Sequence, residues 1–421
     1  AFICLMGCTL VFFGRRIKFQ QAFIATLLLL TCVEMHRAAM TTRVDMLLTA
    51  FIVIGLYQLF RWEDRLELKG LPIIIPILLG CAVLTKGPVG VILPLFVFGA
   101  YLLMLRKYSL LTIFKALLYI GVSSSFLPLL WYIAAWKQGG DRFMDVVLAE
   151  NFGRFFHLDT PDINYDLGHE NGVWYNFATL AGGFIPWTIF FFFSIFGLKW
   201  QLKNASFKQI AKDSWNNILS MEKEKLFSLV ALVCIIFFYS IPSSKRSVYL
   251  MPAYPFIAIF LAQYAIYITE YRTKVTRIFA AFLASVTTVV LIAIGLTMAG
   301  VIDPVAIASQ YTSRPSTLAQ VEAVSNMFSS SCGLTVCIVI IVLLALLTVL
   351  YQMFKKINIK ILYATIALTF TINLLVDGVI MRGIRQDGSA RPFAERVMKE
   401  YPLNKDNMFV MNNLKVYRNL Y

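Results

Sequence analysis

The feature that most constrains this chain is a series of about twelve apolar stretches, most near the roughly 20 residues that a helix needs to cross a bilayer. Lipid offers no partner to backbone N–H and C=O groups, so such stretches fold as helices. The chain is 59% hydrophobic and only 14% charged, with a mean hydropathy of +0.73. We therefore predict an all-α, polytopic bundle of transmembrane helices. The predicted spans are residues 1–13, 19–33, 44–60, 71–85, 88–104, 111–134, 173–196, 225–241, 248–268, 278–300, 333–354 and 361–379.

Charge between these spans predicts the orientation. Alternate connectors hold most of the loop Lys and Arg, which by the positive-inside rule places them in the cytoplasm. The net charge of +15 is then largely a topology signal, and we predict no nucleic-acid partner because no basic soluble domain is present. The basic connectors are residues 14–18, 61–70, 105–110, 199–225, 269–277 and 355–360.

The same count divides the chain into regions. Residues 1–380 are predicted to form the transmembrane domain, with outward loops at 137–172 and 301–332, and residues 381–421 a small outer region. The first loop interleaves Phe with charged residues, which favours an interfacial helix. The chain starts inside its first span without an initiating Met, so we expect that a natural N-terminal part is missing.

The outward connectors carry cations where the positive-inside rule disfavours them. Arg43, Lys86, Arg154, Lys245 and Arg246 all lie at the predicted outer mouth, where an ionisable group beside hydrocarbon costs a few kcal/mol unless it is paired or hydrated. A bound anion would offset that cost. Lys offers a point charge and Arg a bidentate fork to phosphate oxygens, so a lipid phosphate is the natural ligand.

Five short motifs follow one another in the first two thirds of the chain. They are Val44-Asp45, Leu84–Gly87, Glu150 with Arg154-Phe155, His169 with Trp174-Tyr175 and Pro186-Trp187, and Ser244-Lys245 with Tyr249 and Pro252. In this order the motifs resemble those of the bacterial lipid A aminoarabinose transferases and their protein mannosyltransferase-like relatives, which are membrane glycosyltransferases of the GT-C fold that use polyprenyl-phosphate sugars. The similarity covers most of residues 1–270, and the five motifs in order are more specific than any one of them.

The resemblance implies roles by position. Lys86, Arg154 and Lys245 match contacts to the carrier phosphate, and Asp45 and Glu150 match acidic groups of the same cavity. We add further substrate-binding candidates, Arg246 among them for its adjacency to Lys245. These candidates are Arg43, Trp174, Tyr175, Arg246 and Tyr249.

Two departures limit the match. The family's acidic Asp-Glu pair in its first outer loop does not occur upstream of Glu34, so we expect the main catalytic carboxylate in the absent N-terminal part and treat Asp45 and Glu150 as auxiliary acids. Asn151 stands where the aminoarabinose enzymes tend to have a His of a metal site. The sequence predicts no cofactor other than a possible divalent metal, for which His157 and His169 are the candidate ligands.

Each candidate also has a structural interpretation. Arg43 with Asp45 can be a helix-end ion pair, and Lys86 can answer the macrodipole of its helix. Glu150 and Arg154 have the i, i+4 spacing of a surface pair. Trp174 can be an aromatic-belt anchor. These alternatives stay open at the level of sequence.

The sequence thus predicts a bacterial inner-membrane glycosyltransferase with a periplasmic active face. Phosphate leaves the anomeric carbon of a polyprenyl-phosphate sugar, a cationic site stabilises its charge, and one displacement by the acceptor inverts the configuration. The predicted partners are this donor, a lipid, glycan or protein acceptor, and membrane lipids. A polyprenyl-lipid flippase would favour internal repeats and charges in the middle of spans, and a non-catalytic assembly subunit is the other alternative.

Overall fold

A computed structural model describes residues 1–41, 43–148, 171–172, 174–196, 207–242, 244–329, 333–387 and 391–401. These residues form helices and connecting turns without a β-strand, which confirms the predicted all-α bundle. The helices of the first half are α1 Phe2–Gly14, α2 Phe19–Thr31, α3 Val33–Ala39, α4 Val44–Leu66, α5 Ile74–Lys86, α6 Val89–Leu105, α7 Leu110–Leu148, α8 Trp174–Gly183, α9 Trp187–Phe196, α10 Phe207–Leu219 and α11 Lys223–Ser240.

The second half continues in the same way. A short 3₁₀ helix, Ser247–Ala253, leads into the next long helix, and a π-helical turn, Val376–Ile380, joins two others. The remaining helices are α12 Tyr254–Tyr271, α13 Thr273–Met298, α14 Pro304–Ser309, α15 Pro315–Ser329, α16 Gly333–Lys355, α17 Asn358–Leu375, α18 Met381–Asp387 and α19 Arg391–Glu400.

Each predicted span is helical over most of its described length. Among the described residues, six helices are long and apolar enough to cross a membrane, and the number rises to eight if each of two bent pairs is one span. Helices α1, α5 and α6 are apolar but shorter, so the count of about twelve stays a prediction. The bent pairs are α2 with α3, at 65°, and α8 with α9, at 104°. The second bend lies at Pro186, where the missing amide hydrogen interrupts the helical ladder.

Residues Ala1–Thr276 form one compact unit, in which α4 packs against α1, α5, α6 and the 3₁₀ helix. Its core is aromatic, with the rings of Phe12 and Tyr57 stacked at 4.2 Å and edge-to-face contacts around them. Buried aromatic residues of α1, α4, α6, α11 and α12 join this core: Phe12, Phe13, Tyr57, Phe60, Tyr101, Phe227 and Phe256.

The two ends of α4 have different surroundings. Its first turn follows Arg43, whose backbone is extended, and lies beside the last turn of α5. Its last turn ends at Glu67 in the left-handed conformation, next to the α6–α7 connector and the start of α11. The predicted topology assigns the first end to the outer face and the second to the cytoplasm.

Residues Arg277–Tyr421 form a second compact unit. Within it, α16 and α17 pack along each other and against α13 through small and aliphatic side chains such as Ala280, Val349 and Leu368, which are buried. The predicted outward loop 301–332 contains both α14 and α15.

Candidate active site

Lys86 is the last residue of α5, and the turn after it fixes its backbone. Gly87 has a φ of +82°, a conformation that glycine adopts without a steric penalty, and Pro88 is the N-cap of α6. The two helices meet so closely that a Cβ added to Gly90 would lie 2.4 Å from the carbonyl carbon of Ala82. This contact leaves the α5–α6 turn little room to move.

Asp45 lies in the first turn of α4 and forms an ion pair with Lys86. The exposed fraction is 12% for the Asp45 side chain and 31% for that of Lys86. The two residues are 41 positions apart in the chain, and the antiparallel path of α4 and α5 brings them together. The Lys86 side chain is therefore partly accessible, while the carboxylate holds its ammonium.

The ring of Tyr249 is a second contact of the same ammonium. The Nζ of Lys86 lies 4.4 Å from the centroid of the Tyr249 ring, within the range of a cation–π interaction. The Tyr249 ring in turn lies 5.6 Å from that of Tyr239 on α11. We call Asp45, Lys86, Tyr239 and Tyr249 the Lys86 cluster; it joins three of the sequence-predicted residues.

Lys245 and Arg246 differ in their exposure although they are neighbours. Lys245 is 5% exposed, and its Nζ donates a hydrogen bond of 2.7 Å to the carbonyl of Pro242. Arg246 is exposed. The carbonyl of Lys245 accepts a 3.2 Å hydrogen bond from the Asn171 side chain. Among the described residues, Pro242 is thus the hydrogen-bond partner of the Lys245 ammonium, whereas the Arg246 side chain is exposed.

The remaining predicted residues in this region are peripheral. Arg43 is exposed beside the start of α4. Trp174 is 82% exposed at the first position of α8, and its ring lies 5.9 Å from that of Phe177; this position fits a membrane-interface anchor. Tyr175 is half-buried. In the described part of the chain, no contact joins these three residues to the Lys86 cluster, and their assignment stays a prediction.

Four predicted residues lie outside the described part of the chain. They are the auxiliary acid Glu150, the phosphate candidate Arg154 and the metal candidates His157 and His169. Within the described ranges, no three His, Cys, Asp or Glu residues are grouped to hold a metal ion. The suggested metal site therefore also stays a prediction.

Sequence reasoning did not select one ion pair beside this region. Both carboxylate oxygens of Glu34 accept from Arg37 on the next turn of α3, at 2.7 and 2.8 Å from Nη2 and at 3.2 Å from Nε. Glu34 is 6% exposed. The i, i+3 spacing of opposite charges was the available signal, but burial of the carboxylate is visible only in the fold.

A second charged cluster lies at the other end of α4. Glu63 is fully buried, accepts a 3.1 Å hydrogen bond from the Tyr108 hydroxyl, and has the ammonium groups of Lys107 and Lys223 at 3.4 and 3.9 Å. Lys107 also binds Glu67 at 3.1 Å. This hydrogen bond lowers the pKa of Glu67, and hydrogen bonds with Tyr108 and Glu67 raise the pKa of Lys107. The Glu63 cluster joins α4 to the α6–α7 connector and to α11.

Comparison with known proteins gives three sequence relatives. An uncharacterised protein of Aquifex aeolicus is 30% identical over 220 residues, which are 51% of this chain and 37% of that protein. An undecaprenyl phosphate-alpha-4-amino-4-deoxy-L-arabinose arabinosyl transferase of Enterobacter sp. is 22% identical over 247 residues, 58% of this chain and 40% of the relative. A protein of the same description from Erwinia tasmaniensis is 20% identical over 261 residues, 61% and 42% of the two chains.

The match thus spans about two fifths of the length of these curated relatives. No protein-family model matches the chain. The sequence similarity to the arabinosyl transferases bears out the resemblance seen in the motifs.

Two solved structures share the fold. The crystal structure of ArnT from Cupriavidus metallidurans bound to undecaprenyl phosphate superposes with a TM-score of 0.62 at 16% identity, covering 95% of this chain and 65% of that one. The apo structure gives 0.60 at 15% identity, with 95% and 64% coverage. The chain therefore has the helical fold of ArnT along nearly its whole length.

Proposed function

We propose that this chain acts in an integral-membrane glycosyltransferase that takes its sugar from a polyprenyl-phosphate carrier. The main support for the proposal is the Lys86 cluster, in which the ammonium of a partly exposed lysine contacts both a carboxylate and an aromatic ring. The shared fold with a protein crystallised with undecaprenyl phosphate supports it. Because the matched relatives are longer than the matched region, the activity of the whole protein belongs to the proposal.

The ammonium of Lys86 suits the leaving phosphate. A lysine has three N–H donors; the Asp45 carboxylate takes one, and the others are available to phosphate oxygens on the exposed side. When the bond from the anomeric carbon to the phosphate oxygen breaks, negative charge builds on that oxygen. A positioned cation stabilises this charge in the transition state, which is the electrostatic contribution that usually matters most.

Asp45 has two effects in this scheme. In the absence of ligand its carboxylate orients Lys86, and when a phosphate binds it becomes a like-charged neighbour of that phosphate. It is also a candidate for taking the proton of an acceptor hydroxyl, together with Glu150. Attack by the acceptor opposite the leaving phosphate inverts the anomeric configuration. Arg154, Lys245 and Arg246 are the other proposed phosphate contacts.

The finer assignments are proposals of the same kind. The acceptor is a lipid such as lipid A, another envelope glycan or a protein. The location is the bacterial inner membrane, with the Lys86 cluster on the periplasmic side; the basic connectors at the opposite predicted face support this orientation.

The test measures release of polyprenyl phosphate by the purified protein in lipid, with a panel of polyprenyl-phosphate sugars. We expect turnover with at least one donor and its loss in Lys86→Ala and Lys245→Ala. Lys225→Ala is the matched control. It removes a lysine that is paired with Glu222 at the start of α11, next to a connector that we predict to be cytoplasmic. Saturable lipid binding without turnover of any donor would favour a flippase or a non-catalytic subunit instead.

A further inference from the structure

The Glu34–Arg37 ion pair of α3 borders the same region and has no role in the scheme above. The guanidinium contacts both carboxylate oxygens, which is the strong bidentate form of this interaction. Glu34 is almost completely buried, whereas the Arg37 side chain is 45% exposed. A buried carboxylate without its partner is costly, so Glu34 fixes where the Arg37 guanidinium lies.

Helix α3 itself is anchored to the bend between α8 and α9. The amide of Val33 donates a 3.1 Å hydrogen bond to the carbonyl of Ile185. Gly183 lies against the pair: a Cβ added there would be 2.9 Å from the Cβ of Glu34 and 1.9 Å from the hydroxyl of Tyr254. The helix that carries the ion pair is therefore packed against the α8–α9 bend.

From this anchored position Arg37 reaches the segment that carries Tyr249. Its Nη2 lies 3.4 Å from the hydroxyl of Ser247, the first residue of the 3₁₀ helix. Tyr249 is two residues further along that helix, and its ring covers the ammonium of Lys86. One chain of contacts thus runs from Glu34 through Arg37 and Ser247 to the Lys86 cluster.

We propose that Glu34 and Arg37 are positioning residues that hold the 3₁₀ helix so that Tyr249 covers Lys86 and shapes the phosphate site. The inference rests on the proposed function. It predicts that the pair contributes equally to binding of the carrier phosphate in the ground state and in the transition state, because the pair acts on the ring that covers Lys86 and not on the reacting atoms. Loss of such uniform binding raises KM and leaves kcat nearly unchanged.

The experiment is a double-mutant cycle on transfer from the polyprenyl-phosphate sugar that the protein accepts. Arg37→Ala is expected to raise the donor KM about tenfold with kcat within about twofold. Tyr249→Leu added to Arg37→Ala is expected to cost at least about threefold less than the product of the two single effects. Lys225→Ala, which breaks another i, i+3 ion pair, should combine with Tyr249→Leu multiplicatively.

A milder pair of variants covers the case in which Arg37→Ala does not fold. Ser247→Ala removes the acceptor of the Arg37 contact, and Ser247→Thr keeps a hydroxyl; we expect a raised donor KM only for the first. The inference is overturned if Arg37 and Tyr249 effects multiply, or if both Ser247 variants keep the wild-type KM. If the wild-type protein turns over no donor, the proposed function is wrong, and this inference is wrong as well.

Discussion

The ring of Tyr249 and the ammonium of Lys86 form a cation–π pair, with 4.4 Å between Nζ and the ring centroid. The two residues come from different elements, a 3₁₀ helix and the C-terminal turn of α5. Because Asp45 binds the same ammonium, each of three elements contributes one group to the site. The following predictions test this arrangement and the packing that supports it.

The aromatic wall can be tested by comparing two substitutions of Tyr249. Tyr249→Phe keeps the ring and should bind polyprenyl phosphate nearly as the wild type does. Tyr249→Leu removes the ring, and since a cation–π contact contributes about 0.5–2 kcal/mol, we expect the Kd to rise by about 2- to 30-fold. Equal Kd values for the Phe and Leu variants, measured by lipid titration in nanodiscs, would exclude a role for the ring.

Asp45→Asn tests whether Asp45 mainly orients the Lys86 ammonium or mainly competes with the phosphate for it. The substitution keeps the shape but removes the charge that competes with the phosphate for Lys86. A partly exposed ion pair is worth up to about 1 kcal/mol, so the Kd for polyprenyl phosphate should fall by up to about fivefold. The same titration measures this change, and weaker binding would instead make Asp45 an indispensable orienting group.

Gly90→Ala tests the tight contact behind Lys86. The added methyl would meet the backbone of Ala82 and Val83 at 2.4–2.5 Å, and overpacking of this kind costs about 1–3 kcal/mol. We expect a lower Tm in detergent. Gly7→Ala in α1 is the control, because an added Cβ there meets no atom within 4 Å; a similar fall in both variants would contradict the interpretation.

In the Glu63 cluster, we expect removal of the two lysines to lower the Tm more than neutralisation of Glu63 does. Removing both Lys107 and Lys223 leaves a fully buried carboxylate without its cations, which is strongly destabilising. Glu63→Gln keeps the shape and removes the charge, and the lysines are already 41% and 45% exposed. We therefore expect Lys107→Ala with Lys223→Ala to lower the Tm by several degrees and Glu63→Gln to lower it less. The reverse order would mean that the lysines are not the partners that matter.

Acid stability should depend on Glu67. Its hydrogen bond from Lys107 lowers its pKa below the usual value of 4.5, so folding is favoured when the carboxylate is ionised. This contribution is present above the unfolded pKa and is lost as the pH falls through the folded one. Tm measured from pH 6 down to about pH 3 should fall less steeply for Glu67→Gln than for the wild type; parallel curves would contradict this.

Hydropathy predicted the helical class, and the family resemblance implied that Asp45 and Lys86 line one cavity. In the structure the Asp45 carboxylate binds Lys86, and this particular ion pair was not predicted, because the sequence offered Arg43 as the nearer partner. The sequence did not predict the 104° bend between α8 and α9, since an apolar run has the same hydropathy whether it is straight or bent. The inward ammonium of Lys245 was also unexpected. Positive charge indicates a face of the membrane, but side-chain direction depends on local carbonyls that sequence does not place.

The close meeting of α5 and α6 at Gly90 has a consequence for how proteins of this fold diverge. Backbone atoms on both sides of the contact leave no free volume, so the position of Lys86 is inherited with the helix pair. The 3₁₀ helix is seven residues long and contacts Lys86 through the ring of Tyr249. Substitutions that adapt the site to another carrier lipid should accumulate around Ser247–Ala253, while the lysine and its two glycines persist.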